Sequence, residues 1–262
     1  MKKRRTYRRP HRYRRKKPIF RKRFFWLGIL SILVFIGVFY SLLFLEAFQV
    51  GKIIVSGEEK VSKEDVEFLA ERRLESKVLF FKTKSIFTVD LKQIKRDILN
   101  HFPQIAEVKV SRGFFDAVNI VVRERIGVAL WCQDEQCFLL DNEGVIFEEV
   151  SEIKPGLLLI KTQAGLAELG ETVIDGDQLS QIFDIRLKLA ERTKIFFAGA
   201  SLISEERLDV KTTEDWQIYF NLKGDLDWQI TELSLVLEKQ ISPERRDRLE
   251  YIDLRFSRVY YK

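Results

Sequence analysis

Histidine is nearly missing from this 262-residue chain: there are two, His11 and His101. His11 stands in a basic tail. His101 closes a stretch with helical spacing, where a cation complements the helix dipole. This scarcity excludes most histidine-dependent catalysis and histidine-rich metal sites. Phosphate-binding glycine loops, nucleophile elbows, zinc-protease helices and dinucleotide glycine runs are missing too. Cysteine is limited to Cys132 and Cys137, and a C-x4-C pair without further ligands is not a zinc spacing. Carboxylates are plentiful, but Glu58-Glu59, Glu148-Glu149 and Glu205-Glu206 fall on polar faces or in turns, with no sign of one shared cleft. The sequence therefore assigns no catalytic residue, no cofactor and no metal.

Acids are absent before Glu46. Of the 45 Lys+Arg, 14 lie in residues 1–23, which leaves 31 against 39 acids in the remainder. A short cationic tail thus precedes a mildly acidic body. Phe24–Leu45 is 22 residues long and uncharged. As a helix it reaches ~33 Å, enough to cross a ~30 Å hydrocarbon core. It is too long for the apolar part of a cleaved signal, and Leu42–Glu46 offers no small-x-small cleavage site. Residues 24–45 are therefore read as an uncleaved transmembrane helix. The basic residues before it place the N-terminus in the cytoplasm and export the body. Gly28, Ser31 and Gly37 make no G-x-x-x-G pair, so tight self-dimerisation of the span is not indicated. The tail, residues 1–23, reads as a solvated topogenic signal. Contact with anionic lipid explains the same residues. Nucleic acid is the least favoured partner, because Tyr7 and Tyr13 are too few for a stacking platform.

Beyond the span the pattern becomes globular. Val50–Val55 reads as a strand closed by Ser56-Gly57. Ser62 caps a helix with Val66, Leu69, Ala70 and Leu74 on one face, and Asp90 opens a second with Leu91, Ile94, Ile98 and Leu99. Pro103 ends it; Ala106, Val108, Val110 and then Val118, Ile120, Val122 alternate as strands. The order β-α-α-β-β over residues 48–125 describes a small α+β module with its helices on one sheet face.

Residues 126–262 read as a mostly antiparallel β domain with two helices. Val128–Trp131 and Phe138–Leu140 form a hairpin around Gln133–Gln136, and Asp141–Gly144 turns into Val145–Phe147. Lys154-Pro155-Gly156 breaks the chain before Leu157–Ile160, and Gly165 and Gly170 mark an irregular loop. Helices are expected over Asp177–Arg192 and Asp227–Ile241, and strands over Arg207–Lys211, Trp216–Leu222, Tyr251–Phe256 and Arg258–Tyr261. In the hairpin Cys132 and Cys137 face each other at disulfide range. Two readings stay open: a bond, favoured by export, or a reduced pair packed as small hydrophobes. The final strand, next to Lys262, is expected at a sheet edge, where a partner strand can add.

Several motifs carry a family resemblance. Phe102-Pro103, Val108-x-Val110, Arg112, Ile120-x-Val122, Glu124-Arg125, Asp141-x-x-Gly144 and, near the end, Tyr251–Phe256 follow one another in order. With the basic tail and single span, this run resembles the FtsQ/DivIB family of bitopic bacterial cell-division proteins. Phe115-Asp116 stands where that family has an aromatic-Pro turn, and Ile126 where a Pro often follows Glu-Arg. The resemblance implies a POTRA domain followed by a β domain, and a septal location. It implies a non-catalytic scaffold whose C-terminal edge binds FtsB/DivIC-like and FtsL-like partners, and a POTRA edge that recruits other divisome proteins. The partner-binding set is Arg255, Phe256, Ser257, Arg258, Val259, Tyr260 and Tyr261. Arg255 either pairs with a partner acid or is taken up within the chain near Asp253; Tyr251 and Leu254 read as core. Two other classes compete: a membrane-anchored envelope enzyme with an unrecognised carboxylate site, and a generic POTRA-type chaperone binding extended chains at the Ala106–Val122 sheet edge.

Overall fold

The structure, a computed structural model, describes residues 23–262 except 79, 134–135, 152–155 and 163–166. The tail with Tyr7, His11 and Tyr13, the loop tip Asp134-Glu135, the Lys154-Pro155 break and Gly165 lie outside the described residues.

Helix α1 (Arg23–Phe44) is the apolar run, and of its side chains only Leu43 is buried. A helix that is apolar all round needs an apolar surround, and this one is long and apolar enough to cross a membrane. Its last carbonyls, which no helical amide can reach, are taken by the next module. Thr83 Oγ1 and Gln49 Nε2 donate to Leu43 O at 2.5 and 2.8 Å, and Ser85 Oγ donates to Leu42 O at 2.8 Å. The helix is thereby hydrogen-bonded to the globular body rather than hung from a free linker.

The first module comprises β1 (Lys52–Ser56), α2 (Lys63–Glu71), a hairpin β2 (Ser76–Val78) and β3 (Phe81–Thr83), α3 (Leu91–His101), β4 (Ile105–Arg112) and β5 (Ala117–Glu124). Ser62 accepts from the Asp65 amide to cap α2, and Asp90 accepts from the Lys92 and Gln93 amides to cap α3. The sheet order is β1-β5-β4, with β1 parallel and β4 antiparallel to β5. Val66, Ala70, Ile94 and Ile98 press onto Val55, Val108, Ile120 and Val122 as one core. The β2–β3 hairpin, an insertion between the helices, has no counterpart in the sequence reading. Its strands are three residues each, too short to display a period.

The second module comprises β6 (Ala129–Gln133), β7 (Gln136–Leu140), β8 (Ile146–Val150), β9 (Leu158–Thr162), α4 (Gly176–Thr193), β10 (Phe197–Leu202), β11 (Arg207–Thr212), β12 (Gln217–Asn221), α5 (Leu226–Lys239), a single turn α6 (Pro243–Arg246), β13 (Tyr251–Asp253) and β14 (Tyr260–Tyr261). All nine strands join one sheet, ordered β14-β13-β12-β11-β10-β9-β6-β7-β8 and mostly antiparallel. The β6–β9, β9–β10 and β12–β13 pairs are parallel. Leu179, Ile182, Ile185 and Leu189 of α4 and Ile230, Leu233 and Leu237 of α5 cover one face, over Ile160, Val210, Ile218, Phe220 and Ile252. The architecture is α+β throughout. The strand expected over Tyr251–Phe256 stops at Asp253: the Arg255 amide and guanidinium both turn back onto the Asp253 carboxylate, and Leu254 enters the core.

Candidate protein-binding edge

Strand β14 is the outermost strand of the long sheet among the described residues. Ile252 faces Tyr261 and Asp253 faces Tyr260. The Lys262 amide donates to Tyr251 O at 3.2 Å, and Lys262 O accepts from the Glu250 and Tyr251 amides at 2.7 and 3.4 Å. Antiparallel pairs alternate between bonded and non-bonded. Because Tyr251 and Lys262 exchange bonds, Tyr261 sits in a non-bonded pair, and its own N–H and C=O face away from the sheet. That is the chemical definition of an edge able to take another strand.

Aromatic side chains stand beside those open groups. Phe256 and Tyr260 meet edge to face, ring centroids 5.9 Å apart, and both are exposed, as is Tyr261. Ser257 and Arg258 are exposed in the connecting loop, while Val259 tucks against the core. Tyr251 is half-buried and stacked on Tyr219 at 5.3 Å, and Leu254 is core.

Arg255 is held within the chain. Its Nε and Nη2 reach Asp253 Oδ1 and Oδ2 at 2.9 and 2.6 Å, a bidentate pair, and its guanidinium lies 5.5 Å from the Tyr219 ring and 5.3 Å from Phe256. Arg207 makes the matching arrangement with Asp209, at 2.7 and 2.8 Å, and lies 4.9 Å from the same Tyr219 ring. The register sets Asp209, Tyr219, Asp253 and Tyr260 in one row across β11, β12, β13 and β14. Burial raises the Tyr219 pKa, and Asp209 adds to the rise. Burial pushes Asp253 up as well, but the Arg255 side-chain and backbone hydrogen bonds prevail and hold it below the usual aspartate range. The row is a preformed polar-aromatic strip leading to the open edge. Sequence reasoning named Arg255 and the aromatics after it, but missed Arg207, Asp209 and Tyr219. Alternation in β11 and β12 puts those three opposite the buried Leu208, Val210 and Phe220, so an outward polar face was legible there, though not its link to residue 255.

The remaining motif residues are architectural. Glu124 accepts from the amides of Glu59, Lys60 and Val61 at 2.8–2.9 Å. Arg112 donates to Ile86 O and Val89 O at 2.6 and 3.1 Å. Arg125 donates to Pro103 O at 3.2 Å and forms a buried ion pair with Asp141. Cys132 and Cys137 sit opposite one another in the β6–β7 register, Cα atoms 4.1 Å apart and sulfurs 2.02 Å apart. Glu148 is engaged by Lys60, and Glu205 and Glu206 by Lys223. Among the described residues no group of three or more His, Cys, Asp or Glu is placed to hold a metal.

An apolar helix long enough to cross a membrane is followed by two α+β modules in series, the second with an open edge strand: the layout of a chain with one candidate membrane span and a large globular body. The first module matches the family described as "POTRA domain, FtsQ-type" over residues 48–125. The second matches "Cell division protein FtsQ/DivIB, C-terminal" over residues 129–255, so residues 256–262 of the edge lie beyond it. The chain belongs to the FtsQ/DivIB family of cell-division proteins. It is similar to the cell division protein FtsQ of Rickettsia bellii, 31% identical over 111 residues, which is 42% of this chain and 38% of that protein. The match therefore spans well under half of the relative.

Proposed function

We propose that this chain is a non-catalytic, bitopic scaffold of the bacterial division machinery. It captures FtsB/DivIC- and FtsL-like membrane partners by strand addition at β14 and so regulates septal wall synthesis. In this reading α1 crosses the cytoplasmic membrane with the basic tail inside and residues 48–262 exported, where the Cys132–Cys137 pair is oxidised. Other divisome proteins are met by the POTRA module. The observation that carries the proposal is the open N–H and C=O of Tyr261, flanked by exposed Phe256 and Tyr260. Main-chain bonds supply affinity at such an edge, and aromatic anchors supply specificity. Arg255, fixed by Asp253, positions Phe256 and presents a guanidinium face to an acidic partner residue.

The test is co-purification of the full chain with such partners. Tyr261→Pro removes the outward amide without breaking a bond to β13, and is expected to abolish capture, as is Phe256→Glu combined with Tyr260→Glu. Tyr261→Phe is expected to capture normally. If the Pro variant, shown folded by circular dichroism, captures as well as the parent, strand addition at β14 is wrong.

A further inference from the structure

At the end of the first module nearest α1, five phenylalanines stand more than half exposed: Phe80, Phe81, Phe87, Phe114 and Phe115. An exposed Leu or Phe in isolation is ordinary. Five at one end of a module, in two groups about the root of one helix, mark a surface with a partner.

The backbone gathers them round the root of the helix. Val50 N bonds to Lys84 O, Ile86 N to Phe48 O, and Gly51 N to Asp116 O, each at 2.9 Å. The segment leaving α1 is thus clamped between the loop after β3 and the β4–β5 turn. The rings continue the helix surface in two directions. On one side Tyr40 meets Phe44 at 4.9 Å and Phe44 meets Phe81 at 5.8 Å. On the other Phe48 meets Phe87 at 5.7 Å and Phe115 at 6.5 Å, and Phe115 meets Phe114 at 4.6 Å. An apolar recess lined by Ile36, Phe39, Tyr40, Leu43, Val78 and Phe81 joins the β2–β3 hairpin to the helix wall. Phe115 holds φ at +56°, a conformation that bulky side chains rarely adopt, so the turn is strained while both its rings face outward.

We infer that this aromatic collar rests in the interfacial layer of the same bilayer that α1 spans, the lipid acyl–headgroup boundary being its occupant. The inference rests on α1 being a membrane span. Continuity with α1 is the argument. The helix end is bonded to Gln49, Thr83 and Ser85, so the body cannot swing away without breaking those bonds, and the surface around the end of a span lies at the level of the headgroups. Phenylalanine rings on a surface lying in that layer bury at the headgroup–acyl boundary, and cations beside them meet lipid phosphates. Lys77 flanks Phe80 and Phe81 in the hairpin, opposite Lys82, which pairs with Glu75 at 3.1 Å. The collar fixes the tilt of the body, and hence the height at which β14 is presented above the membrane.

The experiment uses the full chain in lipid nanodiscs, with one environment-sensitive fluorophore at Phe80→Cys, Phe114→Cys, Ile126→Cys or Val34→Cys. The bonded Cys132–Cys137 pair does not compete for label. Ile126 is an exposed reference, on the order of 30 Å from the collar along β5. The expected result is blue-shifted emission at Phe80 and Phe114. Quenching there by lipid carrying a nitroxide near its headgroup should be several-fold stronger than at Ile126. Adding Phe81→Glu and Phe115→Glu should abolish that quenching and leave Val34 quenched by deep nitroxides. If Val34 is quenched but Phe80 and Phe114 behave like Ile126, the collar inference falls and the span stands. If Val34 is not quenched, the span reading falls and the inference with it. If the collar probes are shielded from iodide yet unquenched by lipid, another protein surface covers them, and the lipid assignment is overturned.

Discussion

Arg125, the residue following β5, forms a buried ion pair with Asp141 in the turn between β7 and β8, and so locks the first module to the second. The same guanidinium donates to Pro103 O, and Asp141 Oδ1 accepts from the amides of Glu143 and Val145 at 2.9 Å. Two motifs 16 residues apart in sequence are one physical object.

Removing either partner breaks a largely buried ion pair, a loss of up to about 3–5 kcal/mol, with Arg125 keeping only Pro103 O and the exposed Glu143 at 3.5 Å when Asp141 is lost. Asp141→Ala should be the worse, because two turn amides lose their acceptor as well. Urea unfolding of Arg125→Ala and Asp141→Ala checks the order. Equal losses would mean that the turn amides find other acceptors.

Gly144 and Gly156 separate strain from collision. Both have positive φ, +80° and +96°. A Cβ on Gly144 would stand 1.8 Å from the Ile174 carbonyl oxygen, whereas one on Gly156 meets nothing within 4 Å. Gly156→Ala should cost about 1–2 kcal/mol, from backbone conformation alone. Gly144→Ala should displace the loop before α4 and destabilise the chain well beyond that. Parallel denaturation curves decide it.

Asp253 sets an acid limb to the stability of the edge. Its folded pKa lies below the unfolded value near ~3.9. Its contribution is therefore complete above that value, and is lost as pH falls toward and through the folded one. Asp253→Asn should lower stability at neutral pH and flatten the decline below about pH 4. An unchanged acid limb would show that Asp253 does not carry it.

Cys132 and Cys137 are separated by five positions, a short loop. In the chain-entropy account, closing so short a loop contributes about 2 kcal/mol. Reduction should leave the chain folded and lower the thermal midpoint by roughly 5 °C. Unfolding on reduction would show that the bond secures the β6–β7 hairpin itself.

Much of the architecture was legible from local chemistry. Residues 24–44 carry no charge on any side, so hydropathy alone marks a helix able to span. Ser62 and Asp90 announce helix starts because their side chains satisfy orphan amides, and both do so here. Alternation in Val108–Val110 and Val118–Val122 reads directly as strands with one buried face. At the edge, the aromatics after Arg255 were legible as exposed because they interrupt any burial period. Strand β10 was not. Phe197-Ala198-Gly199-Ala200 has poor strand propensity, and it is extended because β9 and β11 bond it on both sides.

What the sequence by itself determined is the longer segments, their order and their buried faces, β2, β3 and β10 excepted, since these follow from side-chain polarity at periods of 2 and 3.6. Tertiary structure decided which segments adjoin. The parallel pairing of β6 with β9 fuses two groups of strands into one nine-stranded sheet, and β14 becomes its edge only because β13 lies beside β12. Arg255 pairs locally with Asp253, two residues away, as was legible in the sequence, but it likewise met Tyr219 only once β12 and β13 were in register. Pairing of this kind is non-local: the energy of a backbone hydrogen bond is nearly independent of which residues make it. The partner is therefore chosen by the packing of whole faces rather than by any residue readable alone.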